Sequence, residues 1–490
     1  MNFNWRIILK ILGGLLIIES LFLLSAFAVC KYYQESVGNS FLLSILIAFF
    51  LGTTMFFIGK NALPNISKRE GSVIVTSVWF AFSIIGTIPF FHSGTIGSFT
   101  NAFFETMSGF TTTGASILTD IESLPKSMLY WRSLTQWIGG LGIIVISLAL
   151  LPLFGFSGVQ LFSSETPGPT KEKLHPRITE TAKRLFGIYL FLTLTCVGFL
   201  KLGGMNWFDS ICQTFSTVAT GGFSTKQTSI AHWDNAFIQY AIILFMFLGG
   251  INFNLYYFGL IGKVKKVWKN EELRHYFYII LFTSLFIFVS LLLTNIQHTD
   301  NFLQFEKTFR TALFHVTSIL TTTGYATTDY MLWIPFAWIT LLLLMFCGGC
   351  AGSTSGGIKI VRILIVFKYC YQEFKRMIHP HAVIPIRYNN EIVKNETIIR
   401  IMTFVLLYFA IIAIGCLFLA SQGMDFVESV GGIVACLSGT GISIGSIGPA
   451  ESYAFVPDSC KWFLSFIMLV GRLELYTILL IFTPVFWKKQ

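Results

Sequence analysis

Charge is scarce in this chain. Only 12% of its 490 residues are Asp, Glu, Lys or Arg, against about 25% in ordinary soluble proteins, which excludes a water-covered globule. Nucleotide-binding signatures are missing as well. No Gly-x-Gly-x-x-Gly follows a strand and there is no P-loop, so any nucleotide control must come from a partner. The nine cysteines (Cys30, Cys196, Cys212, Cys347, Cys350, Cys370, Cys416, Cys436 and Cys460) are scattered. Only Cys347 and Cys350 lie close, in "CGGC". No second ligand pair has zinc spacing, so tight packing of small residues explains them better than metal or redox chemistry. Nor do His, Asp and Glu cluster at one membrane face, as a lipid-modifying transferase would require. An enzyme is not indicated.

Apolar sequence is abundant, with 54% of residues hydrophobic. Several runs reach the ~20 residues that cross a bilayer, among them "IILKILGGLLIIESLFLLSAFAV" from Ile7, "IGGLGIIVISLALLPLFGF" from Ile138 and "IMTFVLLYFAIIAIGCLFLA" from Ile401. The first is too long for a signal-peptide core and a second span follows at once, so it reads as a retained helix. The net charge of +10 reflects the excess of Lys and Arg on the cytoplasmic side of membrane proteins rather than nucleic-acid binding. Basic residues gather at Arg6/Lys10, Lys60/Lys68/Arg69, Lys171/Lys173/Arg177/Lys183/Arg184, Lys263/Lys265/Lys266/Lys269/Arg274, Arg362 to Arg400 and Lys488/Lys489. The alternate connections carry Asp120, Glu122, Asp234, Asp300, Asp329, Glu451 and Asp458. Both termini are therefore expected in the cytoplasm, with an even number of crossings.

A long-period repeat organises the chain. "ETMSGFTTTGAS", "QTFSTVATGGFST", "HVTSILTTTGYATTDY" and "ACLSGTGISIG" are related, and Gly114, Gly222, Gly324 and Gly441 recur at spacings of 108, 102 and 117 residues. Each motif follows a short amphipathic segment: "SFTNAFFETMSGF", "MNWFDSICQTFSTV", "FEKTFRTALFHVTSIL" and "GMDFVESVGGIVACL". These are too short to cross and read as re-entrant half-helices. Expected spans are 7–29, 40–59, 71–92, 128–153, 184–202, 233–260, 276–295, 332–370 (broken in the middle), 398–420 and 458–486, ten crossings in all. The chain then divides into an N-terminal helix pair (1–62) and four units of helix, half-helix, turn and helix (63–158, 159–262, 263–375 and 376–490).

Non-helical backbone at membrane depth survives only where protein buries it or where it lines water. Four such segments meeting on one axis would aim backbone carbonyls inward, and rings of carbonyls can replace the hydration shell of a monovalent cation. Glycine admits the positive φ values this requires. The half-helices would point their partially negative C-terminal ends at the axis. One Thr-Thr-Thr-Gly run is an ordinary turn or cap; four, each at the end of a half-helix between two spans, point to a filter.

With these motifs, and with "WRSLTQWIGGLGI" from Trp131, "CGGCAGSTSGGIK" from Cys347 and "GRLELYT" from Gly471, the chain resembles the Trk/Ktr/HKT superfamily of potassium transporters, in its TrkH/TrkG type. The resemblance implies an all-α polytopic membrane protein. Four fused helix–pore-helix–helix repeats, potassium-channel-like, would surround a pseudo-fourfold pore, with two extra N-terminal helices. It implies potassium uptake across a bacterial cytoplasmic (inner) membrane. The implied filter is Thr111, Thr112, Thr113 and Gly114; Ala219, Thr220, Gly221 and Gly222; Thr321, Thr322, Thr323 and Gly324; Ser438, Gly439, Thr440 and Gly441. Potassium would be held by backbone oxygens of Thr112, Thr113, Thr220, Gly221, Thr322, Thr323, Gly439 and Thr440. The fourth motif departs from the Asn-Leu-Gly-Pro-Gly-like stretch usual there, so Gly439 rivals Gly441 as its key glycine.

The resemblance further implies a gating loop of Gly348, Gly349, Ala351, Gly352, Ser353, Thr354, Ser355, Gly356 and Gly357. A kinked helix of small residues is the simpler alternative. It places Arg472 below the filter as an electrostatic barrier, against a structural ion pair with a carboxylate elsewhere. Lys359 is expected at the pore mouth or snorkelling. Glu105 is expected to brace the filter, and Arg132, Gln136 and His315 to make structural hydrogen bonds. A homodimer and cytoplasmic TrkA-like subunits with NAD and ATP/ADP sites are implied; the chain itself needs no cofactor, only K+ as permeant ion. The rival is a proton- or sodium-coupled symporter, for which Glu105, His315 and Asp329 are the nearby titratable groups.

Overall fold

The computed structural model describes residues 3–62, 66–140, 142, 178–293, 302–382 and 384–488. The 158/159 unit boundary, most of 141–153, residues 294 and 295, and Lys171, Lys173 and Arg177 lie outside them. Among the described residues, six helices are long and apolar enough to cross a membrane, or up to eight if two bent pairs each count as one span. The protein is a multi-pass membrane protein.

The N-terminal pair, Trp5–Tyr32 and Gly38–Ile58, packs backbone to backbone. A Cβ on Gly13 would strike Gly52 O and Phe56 N, and one on Gly59 would strike Arg6 O. Small residues permit this approach, which supplies packing where lipid removes the hydrophobic drive between helices. The pair is tied to the rest at both ends. Glu70, which closes a capping box with Ser67 at the start of Lys68–His92, also accepts the Asn4 N–H at 2.8 Å. Glu35, in the connection between the two helices, accepts the N–H groups of Lys126 (2.6 Å) and Ser127 (3.1 Å), filling two of the orphan donors at the start of the helix Lys126–Gly140.

The four units then follow in order. Unit one has a first helix Lys68–His92, a short helix Phe99–Phe110 and a second helix from Lys126. Unit two has Ile178–Leu202, Trp207–Val218 and the pair Ala236–Gly249 with Phe253–Leu260. Unit three has Glu271–Leu293, Phe302–Leu320, then Pro335–Cys347 and Ile360–Ile378 either side of a loop. Unit four has Asn395–Ser421, Phe426–Ser438 and the pair Asp458–Arg472 with Leu475–Phe482. The third short helix starts earlier than its amphipathic pattern indicates, at Phe302, and runs 19 residues.

Two spans expected to be continuous are not. The 233–260 helix bends by 96° at Gly250–Asn252, and the 458–486 helix by 116° at Leu473–Glu474. A second repeat, absent from the sequence reading, explains the common site of these breaks. Gly139–Gly140, Gly249–Gly250 and Gly348–Gly349 occupy one place in three units, and Gly471–Arg472 the same place in the fourth. There, in units one, two and four, the second helix touches the end of its own short helix. A Cβ on Gly139 would strike Phe110 O, and one on Gly471 would strike Leu437 O. The expected break in 332–370 falls at the same level, after Cys347.

Removing the Glu35 carboxylate leaves those helix donors without their partner. Glu35→Ala is expected to cost about 1–2 kcal/mol, as loss of a helix cap does. It would be read as a lower melting temperature in detergent and faster proteolysis between the N-terminal pair and unit one.

Candidate functional site

Three short helices end one residue before their Thr/Gly motif and the fourth ends on its motif's first residue, Ser438, and the motif's N–H groups turn back onto that helix's last carbonyls. Thr111, Thr112 and Thr113 donate to Met107, Gly109 and Ser108 at 2.9, 3.0 and 2.9 Å. Thr321, Thr322 and Thr323 repeat the pattern on Thr317, Ile319 and Ser318 at 2.9, 3.0 and 2.8 Å. Ala219, Thr220 and Gly221 do so on Phe215, Thr217 and Ser216. In unit four Gly439 and Thr440 both donate to Ala435 O at 3.0 Å. Since N–H and C=O of a trans peptide point in opposite directions, the intervening carbonyls face away from the helix. No described group donates to the carbonyls of Thr112, Thr113, Thr220, Thr322, Thr323 or Gly439.

The backbone alternates in hand to do this. The second and fourth motif positions have positive φ: Thr112, Thr220 and Thr322 at 53°, 52° and 57°, and Gly114, Gly222 and Gly324 at 82°, 80° and 78°. Gly439 (79°) and Gly441 (74°) fall in step, so Gly441 is the counterpart of the other three glycines. The second position is the correction to the sequence reading, which gave positive φ to glycine alone. Here three threonines hold it, a costly conformation for a β-branched residue.

The four glycines form a closed ring. A Cβ on Gly114 would strike Gly221 O; on Gly222, Thr323 O; on Gly324, Thr440 O; and on Gly441, Thr113 O. Each glycine thus lies against the carbonyl that precedes the glycine of the next unit. All four line one cavity of about 70 Å³.

Side chains brace this ring from behind. In three units the hydroxyls at the first and third positions bond each other: Thr111 with Thr113 (2.8 Å), Thr321 with Thr323 (2.8 Å) and Ser438 with Thr440 (2.7 Å). Unit two has Ala219 and Gly221 there, and Gln136 supplies the missing brace. Its amide donates to Gly221 O at 2.6 Å and accepts from Phe223 N at 3.0 Å. Glu105 accepts from Arg132 Nε (2.6 Å), Ser116 Oγ (3.0 Å) and Ile117 N (2.9 Å), while Arg132 also donates to Ser224 O (2.8 Å) and stacks on Phe223. This buried pair stitches unit one to unit two. Tyr325 reaches Gln213 Oε1 (2.8 Å), Tyr330 reaches Ser443 O (2.5 Å) and Tyr453 reaches Gly441 O (2.9 Å). These tyrosines went unread because their partners are 12 to 113 residues away.

The loop between Cys347 and Ile360 crosses the helix-terminal side of the ring and touches three units directly. Thr354 Oγ1 donates to Val218 O (3.2 Å) and Gly249 O (3.1 Å) and meets Thr220 Oγ1 at 3.2 Å. Gly356 N donates to Thr322 Oγ1 at 2.7 Å, and a Cβ there would strike Ser438 O. Ser353 and Ser355 bond each other at 2.6 Å, and Ser355 Oγ accepts from Gly349 N at 3.1 Å. Gly348 and Gly357 pack against each other with φ of 70° and 73°, pinching the loop's two ends together, and Gly352 turns at 74°. The glycines thus close a compact loop, and a simple helix kink is set aside.

Arg472 locks this loop. Its guanidinium donates to Thr354 O (2.6 Å), Gly140 O (2.7 Å) and Gly139 O, linking the loop, unit four and unit one. The carboxylate two residues on, Glu474, pairs instead with Arg362 at 2.8 Å. Lys359 neither snorkels nor lies open. It is buried, and its Nζ bonds Ser355 O within the loop. His315 is buried with its ring nitrogens 2.9 and 3.1 Å from Thr311 O and Thr328 O. Asp329 caps a single helical turn through Met331 N at 2.9 Å. In the loops beside the cavity, a hydrogen bond from Lys226 at 2.9 Å holds the Glu122 carboxyl below its ordinary range.

Residues 37–489 match the sequence profile of the TrkH family, described as a cation transport protein. The chain is 36% identical to the Trk system potassium uptake protein TrkH of Salmonella typhimurium over 489 residues, covering 99% of this chain and all of that one. It is 34% identical to the Trk system potassium uptake protein TrkG of Escherichia coli, covering 99% of each. The crystal structure of the potassium transporter TrkH from Vibrio parahaemolyticus superposes with a TM-score of 0.89 at 34% identity, over 99% of this chain and all of that one. A closed ring of four backbone turns in a multi-pass helical chain, matched end to end by these relatives, makes this protein a member of the TrkH family of cation transport proteins, a transporter and not an enzyme.

Proposed function

We propose that the chain takes up potassium through a gated, channel-like pore. The observation that carries this reading is the closed glycine–carbonyl ring, with carbonyls left free of other donors around it. Carbonyl rings of this kind take the place of a monovalent cation's water. Potassium would be held by the backbone oxygens of Thr112 and Thr113, Thr220 and Gly221, Thr322 and Thr323, and Gly439 and Thr440. Two of these eight are partly committed, Gly221 O to Gln136 and Thr440 O to Ile442 N. The ring's field is therefore uneven, which favours looser selectivity than a symmetric filter gives. The four short helices add their partially negative ends.

The 348–357 loop is the gate in this reading, and Arg472 is both its latch and a positive charge on the permeation path. Channel-like passage is preferred to proton-coupled symport because the nearby titratable groups already have structural partners: Glu105 has Arg132, His315 two backbone oxygens, and Asp329 a helical turn. The Trk naming of the relatives and the lack of a nucleotide motif in this chain favour a TrkA-like regulatory partner carrying NAD or ATP/ADP. A homodimer in a bacterial inner membrane, both termini cytoplasmic, completes the proposal.

Rubidium and sodium flux in proteoliposomes test the filter. Gly441→Ala is expected to lower rubidium-over-sodium preference by about tenfold, ~1.4 kcal/mol, because its Cβ meets Thr113 O. Gly439→Thr is expected to keep it, because nothing lies within 4 Å of a Cβ there and the other units carry threonine in that conformation. Equal effects of the two substitutions would reject the register. Arg472→Ala is expected to raise flux about tenfold or more, since it removes charge-assisted bonds worth roughly 1.5–3 kcal/mol each. Unchanged flux would remove Arg472 from the gate. The reversal potential of the wild-type current should follow the potassium gradient and not move with pH; a shift with the proton gradient would establish symport instead.

A further inference from the structure

A cavity of about 740 Å³ lies in the basic connections between units two, three and four. Its size suits a small ligand, since such sites span roughly 300–1,000 Å³. Lys266, Lys269 and Arg274 line it from one stretch of chain and Lys394 from another. Lys269, Arg274 and Lys394 form no ion pair among the described residues. Two carboxylates also line the cavity, Glu271 and Glu391, but Glu271 is already paired with Lys368. The positive-inside rule accounts for basic residues near a membrane face. It does not by itself account for their gathering around one concavity, an arrangement that an anion between them would stabilise.

The wall of this cavity is continuous with the hold on the gating loop. A two-stranded hairpin, Arg387–Tyr388 with Glu391–Ile392, turns through Asn389 and Asn390, both with positive φ. Asn389 Oδ1 accepts the Glu271 N–H at 2.9 Å. The next residue, Glu272, is buried and accepts the N–H groups of Ala351 (2.7 Å) and Val361 (3.2 Å). One carboxylate thus grips the loop on both sides of its glycine-rich turn. Lys368, on the helix leaving the loop, bonds Arg387 O at 2.7 Å and pairs with Glu271. A ligand that drew Lys269, Arg274 and Lys394 together would bear on the hairpin and on this first turn, which carries Glu272.

We propose that this cavity binds a phosphate-bearing anion, free or as a lipid headgroup, and that its occupancy biases the gating loop through Glu272. The regulatory half rests on the reading of residues 348–357 as the gate; the binding half does not. Two observations keep them apart. Binding of radiolabelled pyrophosphate to the purified full chain reports the site alone. Rubidium flux reports the coupling, in phosphatidylcholine vesicles with pyrophosphate on both sides or in vesicles containing phosphatidylglycerol.

Saturable pyrophosphate binding is expected, weakened about tenfold or more in the triple variant Lys269→Gln, Arg274→Gln, Lys394→Gln, and less in Lys394→Gln alone, which guards against a misfolded triple variant. Lys263→Gln with Lys265→Gln, in the same basic connection but outside the cavity lining, should bind as wild type. Glu272→Gln should keep binding and lose the flux response. A response to pyrophosphate assigns a soluble anion; a response to phosphatidylglycerol alone, lost in the triple variant, assigns the headgroup. Binding without any wild-type flux supports the site and unseats the pore reading. The proposal is overturned if neither probe acts, as when the face takes a protein partner, or if the triple and control variants respond alike.

Discussion

Four half-helices use their last carbonyls to hold the N–H groups of the residues that follow them, and the rest of the molecule is arranged around that. A helix end normally leaves such carbonyls to water or to a cap. Here they are spent on the residues that follow, as between Thr111–Thr113 and Met107–Gly109. The consequence is orientation: with the N–H groups turned back, the carbonyls between them face away from the helix. Alternating positive φ at the second and fourth positions keeps the turn compact. Glycine is needed at the fourth because the neighbouring unit's carbonyl fills the space of its Cβ. Threonine is accepted at the second, where three units use it.

The same closeness shapes the second helices. In units one, two and four they approach the ends of their short helices closely, at Gly139, Gly249 and Gly471, while Gly348 of unit three packs against Gly356 and Gly357 of its own loop. Directly after that contact the described helices bend or break, so the space beneath the ring is open to other chain segments. Unit three fills it with a glycine- and serine-rich loop. Unit four fills it with Arg472 in the place where the other units have a second glycine. A half-buried arginine is stable there because three backbone carbonyls receive it, replacing the solvation it would otherwise lose. The loop is held by hydroxyls, backbone groups and the Arg472 guanidinium.

The unit architecture was legible because each of its signals is local. Apolar run length, the amphipathic half-helix and the threonine–glycine motif all repeat within about a hundred residues, and the match of the whole chain to TrkH relatives supports the fold read from them. The break in unit three was legible from the density of glycine and serine between Cys347 and Lys359. The bends in units two and four were not. Their sequences stay apolar through Gly250 and Leu473, and hydropathy records solvent preference, not direction. The fourth motif, "SGTGIS", left two glycines as candidates, since spacing cannot choose between residues two apart.

Composition and periodicity determined that this chain lies in a membrane, that it is built of four like units, and that each unit turns at a threonine–glycine motif. Those properties depend on solvent and on the intrinsic φ preferences of residues adjacent in the chain. The pairing of Gly441 with Thr113, the service of Gln136 to Gly221, the salt bridge of Glu105 with Arg132 and the reach of Arg472 to Gly139 were decided by the tertiary structure. In each, the partners are 27 to 333 residues apart in sequence, and no local preference distinguishes a buried hydrogen bond from an exposed side chain until the units close on one another.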